Sequence, residues 1–178
     1  GLALLFPGQG SQSLKMMDGL AHLPVVRDTF DQASSYLNVD LWGMLPADTA
    51  DEINATIHTQ PLMLTAGIAV WRAWLALGGV RPGVVAGHSL GEYTALVAAD
   101  VLDFLDAVKL VRLRAELMQQ AVPSDKGAMA AVLGLDDHGV REACREASQV
   151  AGVVEAANYN APGQVIIAGE INAVERAL

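Results

Sequence analysis

A five-residue turn between a short strand and a helix constrains this chain more than any other feature of its sequence. The turn is GHSLG at 87–91; an apolar, β-branched run at 83–87 leads into it, and a helical stretch at 92–99 follows. So short a connection needs small residues beside its centre, because neighbouring side chains would otherwise collide. The pattern is typical of a nucleophile elbow, which projects the hydroxyl of Ser89 at a helix N-terminus. The alternative is a plain glycine-rich connection, and the flanking strand and helix favour the elbow.

The order of the predicted elements indicates an α/β fold. Short apolar strands at 2–6 and 83–87 alternate with helices, which we predict at 24–37, 48–57, 59–77, 92–99 and 103–121. Apolar strands that alternate with helices are typical of a parallel sheet buried on both faces. The sequence therefore predicts a large α/β subdomain at 1–125.

A different order of predicted strands and helices begins at residue 126. Strands at 128–133, 153–158 and 164–168 alternate with helices at 137–148 and 172–178, and a turn lies at 160–163. The order β-α-β-β-α is one strand short of a split βαβ, ferredoxin-like unit. We therefore expect a small ferredoxin-like subdomain at 126–178, incomplete at its C-terminus.

The composition of the chain limits which partners and cofactors it could bind. The chain has 20 acidic and 11 basic residues, a net charge of −9, which disfavours nucleic acids and anionic membrane surfaces. No apolar run is long enough for a membrane span. Cys144 is the only cysteine, so an intramolecular disulfide is impossible, and we expect a small buried residue on a helix. Chains with so little cysteine are common in reducing compartments, which favours the cytoplasm. We expect no metal site, because no ligand pair has metal spacing.

A serine nucleophile needs a base, and the four histidines do not offer one. His88 adjoins the serine, but consecutive side chains at an elbow point apart. His22 and His58 lie in polar surroundings and are expected at the surface, whereas His138 opens a helix of the small subdomain. We therefore expect the general base to be absent from this chain.

The GQGSQ loop at 8–12 follows the first strand. Loops at the carboxyl ends of parallel strands converge on one crevice, so this loop is expected to meet Ser89. The backbone N–H of Gln9 would then join that of Leu90 as a second donor to an oxyanion. A structural or phosphate-binding turn remains the alternative, although no Gly-Lys-Ser/Thr follows as in a P-loop.

Arg114 lies on the apolar face of its predicted helix, where a charged residue is unexpected. On a helical wheel Lys109, Arg112 and Glu116 share a polar arc, whereas Arg114 falls in the middle of the apolar one. A buried guanidinium demands an anionic partner, which is either a protein carboxylate or a substrate carboxylate bound bidentately. Both alternatives stay open, and small neighbouring side chains favour the substrate.

Several segments together resemble one enzyme family. They are FPGQGSQ, TQP at 59–61, AGHSLGEYTALV, VRLRAELM, GAMAAVLGL and NYNAPGQVIIAG. In this order they resemble the malonyl-CoA:acyl carrier protein transacylases of bacterial fatty acid synthesis, to which polyketide synthase acyltransferase domains are related. The resemblance covers the whole chain. It implies an α/β-hydrolase-like subdomain with an inserted ferredoxin-like one.

The resemblance also implies a reaction and its residues. Ser89 would carry a malonyl ester between malonyl-CoA and the phosphopantetheine thiol of acyl carrier protein, without a cofactor. The N–H groups of Gln9 and Leu90 would form the oxyanion hole, and Arg114 would bind the malonyl carboxylate. His88 would line the acyl pocket, and Asn160 would line the cleft between the subdomains.

In that family the catalytic histidine lies beyond the segment that matches the C-terminal residues of this chain, so the resemblance places the base outside the 178 residues. We expect acyl carrier protein, itself acidic, to dock on a basic patch that includes Lys109, Arg112 and Lys126. The alternatives are a polyketide synthase acyltransferase domain, a serine hydrolase that shares the elbow, and a non-catalytic truncated module.

Overall fold

The computed structural model describes residues 1–46, 50–121, 123 and 125–178. The elements in chain order are β1 (Ala3–Phe6), a 3₁₀ turn (Asp18–Leu20), α1 (Pro24–Leu37), α2 (Asp51–Asn54), α3 (Thr56–Ala76), β2 (Val84–Gly87), α4 (Leu90–Ala98), α5 (Phe104–Ala121), β3 (Gly127–Leu133), α6 (Asp137–Ala151), β4 (Val154–Ala161), β5 (Gln164–Glu170) and α7 (Ile171–Ala177). They form two compact units, Gly1–Met118 and Gln119–Leu178. The division between the units lies after Met118, within the last turn of α5, which ends at Ala121. It is a few residues ahead of the predicted boundary at 125.

The core of the first unit is helical. The amphipathic α1 buries Val26 and Phe30 against the long helix α3, whose residues from Thr59 to Ala66 are all buried. That burial agrees with a sequence that is apolar nearly all round. The predicted helix at 48–57 is divided, because Ala55 is extended between α2 and α3; residues 47–49 lie outside the described part of the chain.

The sheet of the first unit is parallel, as predicted. β1 pairs with β2 in a register that runs from Ala3 beside Val84 to Phe6 beside Gly87. The expectation of burial on both faces is wrong for the residues described. Leu5 is 75% exposed and Val84 63% exposed, whereas Phe6 belongs to the core. Because strand side chains alternate between faces, helices on one side cover only every second residue.

The second unit has the predicted β-α-β-β-α order. Its antiparallel sheet has the strand order β3-β5-β4, and α6 and α7 pack against it. β4 extends through Ala161, so the predicted turn is shorter and is made by Pro162 and Gly163, the latter at φ +73°. Cys144 is buried on α6, as predicted, and burial raises the pKa of its thiol, with the nearby Glu155 charge adding to the effect.

Each helix of the described residues lacks the length or the apolar composition that a transmembrane crossing requires.

Candidate active site

The turn between β2 and α4 has the backbone of a nucleophile elbow. Ser89 has φ 51° and ψ −110°, a conformation that side-chain-bearing residues adopt at a cost of about 1–3 kcal/mol. α4 begins at the next residue, Leu90, so the serine lies at the helix N-terminus. Strain of this kind persists only where the surrounding structure holds it in place.

Two glycines make the tight turn possible. A Cβ atom at Gly87 would collide with the backbone carbonyl of Gly91, and a Cβ at Gly91 would collide with the backbone oxygen of Phe6. Both obstacles are backbone atoms, which cannot rotate away as a side chain would. The sequence argument for small residues around the serine is therefore confirmed by close backbone packing between β1, β2 and α4.

We predict that Gly91→Ala lowers the free energy of unfolding by about 3 kcal/mol, at the upper end of the cost of overpacking, because β1 must move to admit the methyl group. Urea denaturation of the complete protein that carries this chain measures the change. The matched control is Gly83→Ala just before β2, where a Cβ would meet nothing within 4 Å. Equal stability of the two variants would contradict the tight packing described above.

The loop after β1 lies against the elbow. The His88 N–H donates to Phe6 O at 3.1 Å, and a Cβ at Gly8 would stand 2.8 Å from His88 O. Side-chain bonds anchor the loop: Gln9 Nε2 donates to Thr56 Oγ1 at 3.2 Å, and Gln12 Nε2 donates to Asn54 Oδ1 at 2.7 Å. The parallel pairing of β1 and β2 thus brings the GQGSQ loop beside the serine turn, as the sequence predicts.

The backbone N–H groups of Gln9 and Leu90 are available as hydrogen-bond donors beside the serine. By contrast, Gly91 N–H donates to His88 O, and Glu92 N–H donates to Ser89 O. Within residues 1–46 and 50–121, neither Gln9 N–H nor Leu90 N–H donates to another residue. Free N–H groups at a helix start and in an adjoining loop are suited to bind a developing oxyanion.

Arg114 connects directly to the serine. Asp103 caps α5, since its Oδ1 accepts hydrogen bonds from the N–H groups of Leu105 at 2.8 Å and Asp106 at 3.3 Å. Ten residues into the helix, the half-buried Arg114 donates from Nη2 to Ser89 Oγ at 2.9 Å. No carboxylate of the first unit's described residues forms an ion pair with it. The sequence left two possible partners for Arg114, a protein carboxylate and a substrate carboxylate. The first of them is not found among these residues.

Sequence reasoning missed two neighbours of Arg114. Gln60 is wholly buried on α3, and its Oε1 accepts a hydrogen bond from Arg114 Nη1 at 2.8 Å. The Tyr93 ring centroid lies 5.7 Å from the guanidinium carbon. An amide within the largely apolar sequence of α3 was a usable signal for Gln60. Tyr93 carried none, because one aromatic on a short helix is unremarkable.

The remaining candidate residues divide between the two units. His88 is exposed at the elbow with its Nδ1 near Gly8, whereas Asn160 is exposed on β4 in the second unit. His22 is exposed, and His58 Nδ1 lies 3.3 Å from Glu52 O. Within the first unit, the structure brings together Gln9, Leu90, Ser89, His88 and Arg114.

Among the described residues, no group of three or more His, Cys, Asp or Glu side chains could hold a metal ion. The site described above combines a hydroxyl, a guanidinium and backbone N–H groups. This combination suits nucleophilic acyl chemistry on a substrate that carries a negative charge.

Comparison with known proteins identifies the class of protein. The sequence profile of the acyl transferase domain family matches residues 3–178, and the chain belongs to this family. It is similar to the malonyl CoA-acyl carrier protein transacylase of Escherichia coli (strain K12), with 52% identity over 176 residues, which cover 98% of this chain and 57% of that relative. The chain thus spans little more than half the length of such relatives.

Solved structures show the same fold. The acyl-carrier-protein S-malonyltransferase of Burkholderia pseudomallei 1710b superposes with a TM-score of 0.92 and 55% identity, over 98% of this chain and 57% of that one. A malonyl-transacylase in complex with its type II PKS acyl-carrier protein gives a TM-score of 0.92 and 51% identity, over 98% and 57%. The predicted α/β class with a parallel sheet is confirmed.

Proposed function

We propose that the protein that carries this chain transfers the malonyl group of malonyl-CoA to the phosphopantetheine thiol of acyl carrier protein, for fatty acid biosynthesis. One observation carries the proposal: a guanidinium without a carboxylate partner in the described first unit donates to the Ser89 hydroxyl at 2.9 Å. An acyl group that bears its own carboxylate would supply the missing negative charge beside the nucleophile. The relatives named for this reaction support the assignment.

In the first step Ser89 Oγ attacks the thioester carbonyl of malonyl-CoA. A bond forms between Oγ and the carbonyl carbon, and the carbon–sulfur bond breaks. The serine proton passes through a general base to the departing sulfur, so that CoA leaves as a thiol and a malonyl ester remains on Ser89. Because Arg114 donates to Oγ, the hydroxyl keeps its own proton free for the base.

The tetrahedral intermediate of this step carries a negative oxygen. The N–H groups of Leu90 and Gln9 are the donors that we assign to it, since neither has another acceptor in the described first unit. Leu90 adds the positive end of the α4 dipole. Loss of one such donor in comparable sites lowers kcat by about 10²- to 10³-fold.

In the second step the thiol of the carrier protein reverses the chemistry. Its sulfur attacks the malonyl ester, the bond to Oγ breaks, and the proton returns to Ser89. Arg114 would hold the malonyl carboxylate through both steps, which favours malonyl over acetyl groups and keeps the ester oriented for the thiol rather than for water. The proposed reaction needs no cofactor, because acyl transfer between two thiols requires only the nucleophile, the general base and the hydrogen-bond donors.

Further assignments complete the proposal. His88, which is exposed beside Ser89, is assigned to the lining of the acyl pocket. The general base is a residue other than the chain's four histidines, of which His22 is exposed and His58 lies against a backbone oxygen. We also propose that the protein acts in the cytoplasm, because a chain with a single cysteine is typical of a reducing compartment.

The carrier protein would reach the site by electrostatic steering. Lys109 is exposed on α5, whereas Arg112 pairs with Glu116 at 2.7 Å and Lys126 lies 3.9 Å from Asp125. Lys109 is therefore the most available of the proposed docking cations, and its contribution should weaken as salt screens it.

A transfer assay with the complete protein tests the function. We expect malonyl-CoA and holo acyl carrier protein to give malonyl carrier protein and one equivalent of free CoA, with ping-pong kinetics. Carrier proteins of fatty acid and polyketide synthesis, offered in parallel, separate the two pathways. Release of free malonate at a rate that exceeds transfer would identify a hydrolase instead, and absence of both products would identify a non-catalytic module.

A further inference from the structure

In the described part of the first unit, the groups that contact the guanidinium of Arg114 are neutral. Its Nη1 donates to the Gln60 amide oxygen at 2.8 Å, its Nη2 donates to the Ser89 hydroxyl, and the Tyr93 ring lies beside it. Gln60 is wholly buried, so its amide has no bulk water to compensate for a lost partner. A glutamate would fit the same space and would pair with an arginine more strongly.

We propose that Gln60 is a positioning residue that sets the selectivity of the site for acyl groups bearing a carboxylate. It holds the guanidinium through an uncharged acceptor, so that the full positive charge remains for the substrate. The inference rests on the proposed function and adds to it a second residue, 54 positions away from Arg114 in sequence. Neither the elbow nor the oxyanion donors require this residue.

Position is the first part of the argument. A guanidinium binds a carboxylate well only when its plane is fixed, because the two N–H···O bonds are parallel. The Gln60 amide is itself fixed at both ends: Oε1 accepts from Arg114, and Nε2 lies 3.3 Å from Met118 Sδ, one turn further along α5. A side chain held in this way orients Arg114 before substrate arrives, which lowers the entropic cost of binding.

Charge is the second part. An ionised carboxylate at position 60 would stand at hydrogen-bond distance from the guanidinium and would neutralise it in a half-buried setting, where charges interact strongly. The substrate carboxylate would then meet an ion pair with no net charge, one member of which repels it. A neutral acceptor avoids this competition, and it leaves Arg114 with a specific demand for an anionic ligand.

The test compares Gln60→Glu and Gln60→Met in the complete protein. The readout is the ratio of kcat/KM for loading Ser89 from malonyl-CoA to that from acetyl-CoA, measured by protein mass. We expect Gln60→Glu to lower the ratio by about 10- to 100-fold, because it removes the unmatched charge. We expect Gln60→Met to lower this ratio by about tenfold, because Arg114 loses an acceptor while the side chain at position 60 keeps a similar volume.

The matched control is Thr65→Val on the same helix. Thr65 is also wholly buried, and its hydroxyl donates to Pro61 O at 2.7 Å, but it takes no part in the site. This variant should lower stability and leave the malonyl-to-acetyl ratio unchanged. If Gln60 only supported the fold, its substitution would likewise lower stability and leave the malonyl-to-acetyl ratio unchanged.

The outcomes separate the two proposals. If the unsubstituted protein forms no malonyl adduct, the proposed function fails. If it does, and Gln60→Glu loads malonyl and acetyl in the native ratio, the role of Gln60 is overturned while the function stands. Should Gln60→Glu fail to fold, Gln60→Met decides alone: a native ratio overturns the inference, and a reduced ratio supports it.

Discussion

Replacement of Arg114 by alanine is expected to lower kcat/KM for malonyl-CoA by about 10²- to 10³-fold and to leave acetyl loading within about tenfold of the native value. The reason is that only malonyl carries a carboxylate for the guanidinium to bind. Arg114→Lys should recover little, because an ammonium cannot contact Gln60 Oε1 and both oxygens of a carboxylate in one plane. Steady-state loading with the two thioesters measures both effects.

Arg81→Ala is the matched control for this substitution. Arg81 is also an arginine of the first unit, but its side chain is 62% exposed and pairs with Asp100 at 2.9 Å on the surface. It should change neither rate measurably, since exposed ion pairs contribute little. If Arg114→Ala reduced malonyl and acetyl loading by the same factor, Arg114 would act on the serine alone and the selectivity role would be wrong.

The features that the sequence predicts correctly are those fixed by local constraints. The GHSLG turn follows from the collisions that any larger residue would cause, and the structure shows those collisions at Gly87 and Gly91. The half-buried position of Arg114 agrees with the helical periodicity of α5, which depends on the residues of that helix alone. Both depend on residues that are close in sequence.

The features that sequence reasoning missed depend on distant residues. Gln60 on α3 and Arg114 on α5 are 54 positions apart and meet only in the folded chain. No periodicity within α3 distinguishes a buried amide that has a partner from one that has none. The exposure of Leu5 and Val84 is similar, because apolar strand residues look alike whether or not another element covers them. Cross-helix pairing and burial of a sheet face require the three-dimensional arrangement.

Ser89→Ala is the substitution with the largest expected effect on the complete protein. The residue supplies the only atom that is covalently bonded to the acyl group in the proposed mechanism. We therefore expect the malonyl adduct to disappear and transfer to fall by about 10⁴-fold or more, since the remaining oxyanion donors cannot replace a nucleophile. Mass measurement after incubation with malonyl-CoA reports the adduct, and peptide mapping of the native protein locates it.

Folding provides the control within the same experiment. Alanine removes the hydroxyl that accepts from Arg114, but Gln60 still holds the guanidinium at 2.8 Å, and the backbone packing at Gly87 and Gly91 does not involve the serine side chain. The variant should therefore unfold at nearly the native temperature while losing activity. It should also still bind malonyl-CoA, because Arg114 keeps its charge, and binding can be measured by calorimetry. Persistence of a malonyl adduct on Ser89→Ala would move the nucleophile elsewhere and contradict the elbow as the reacting centre.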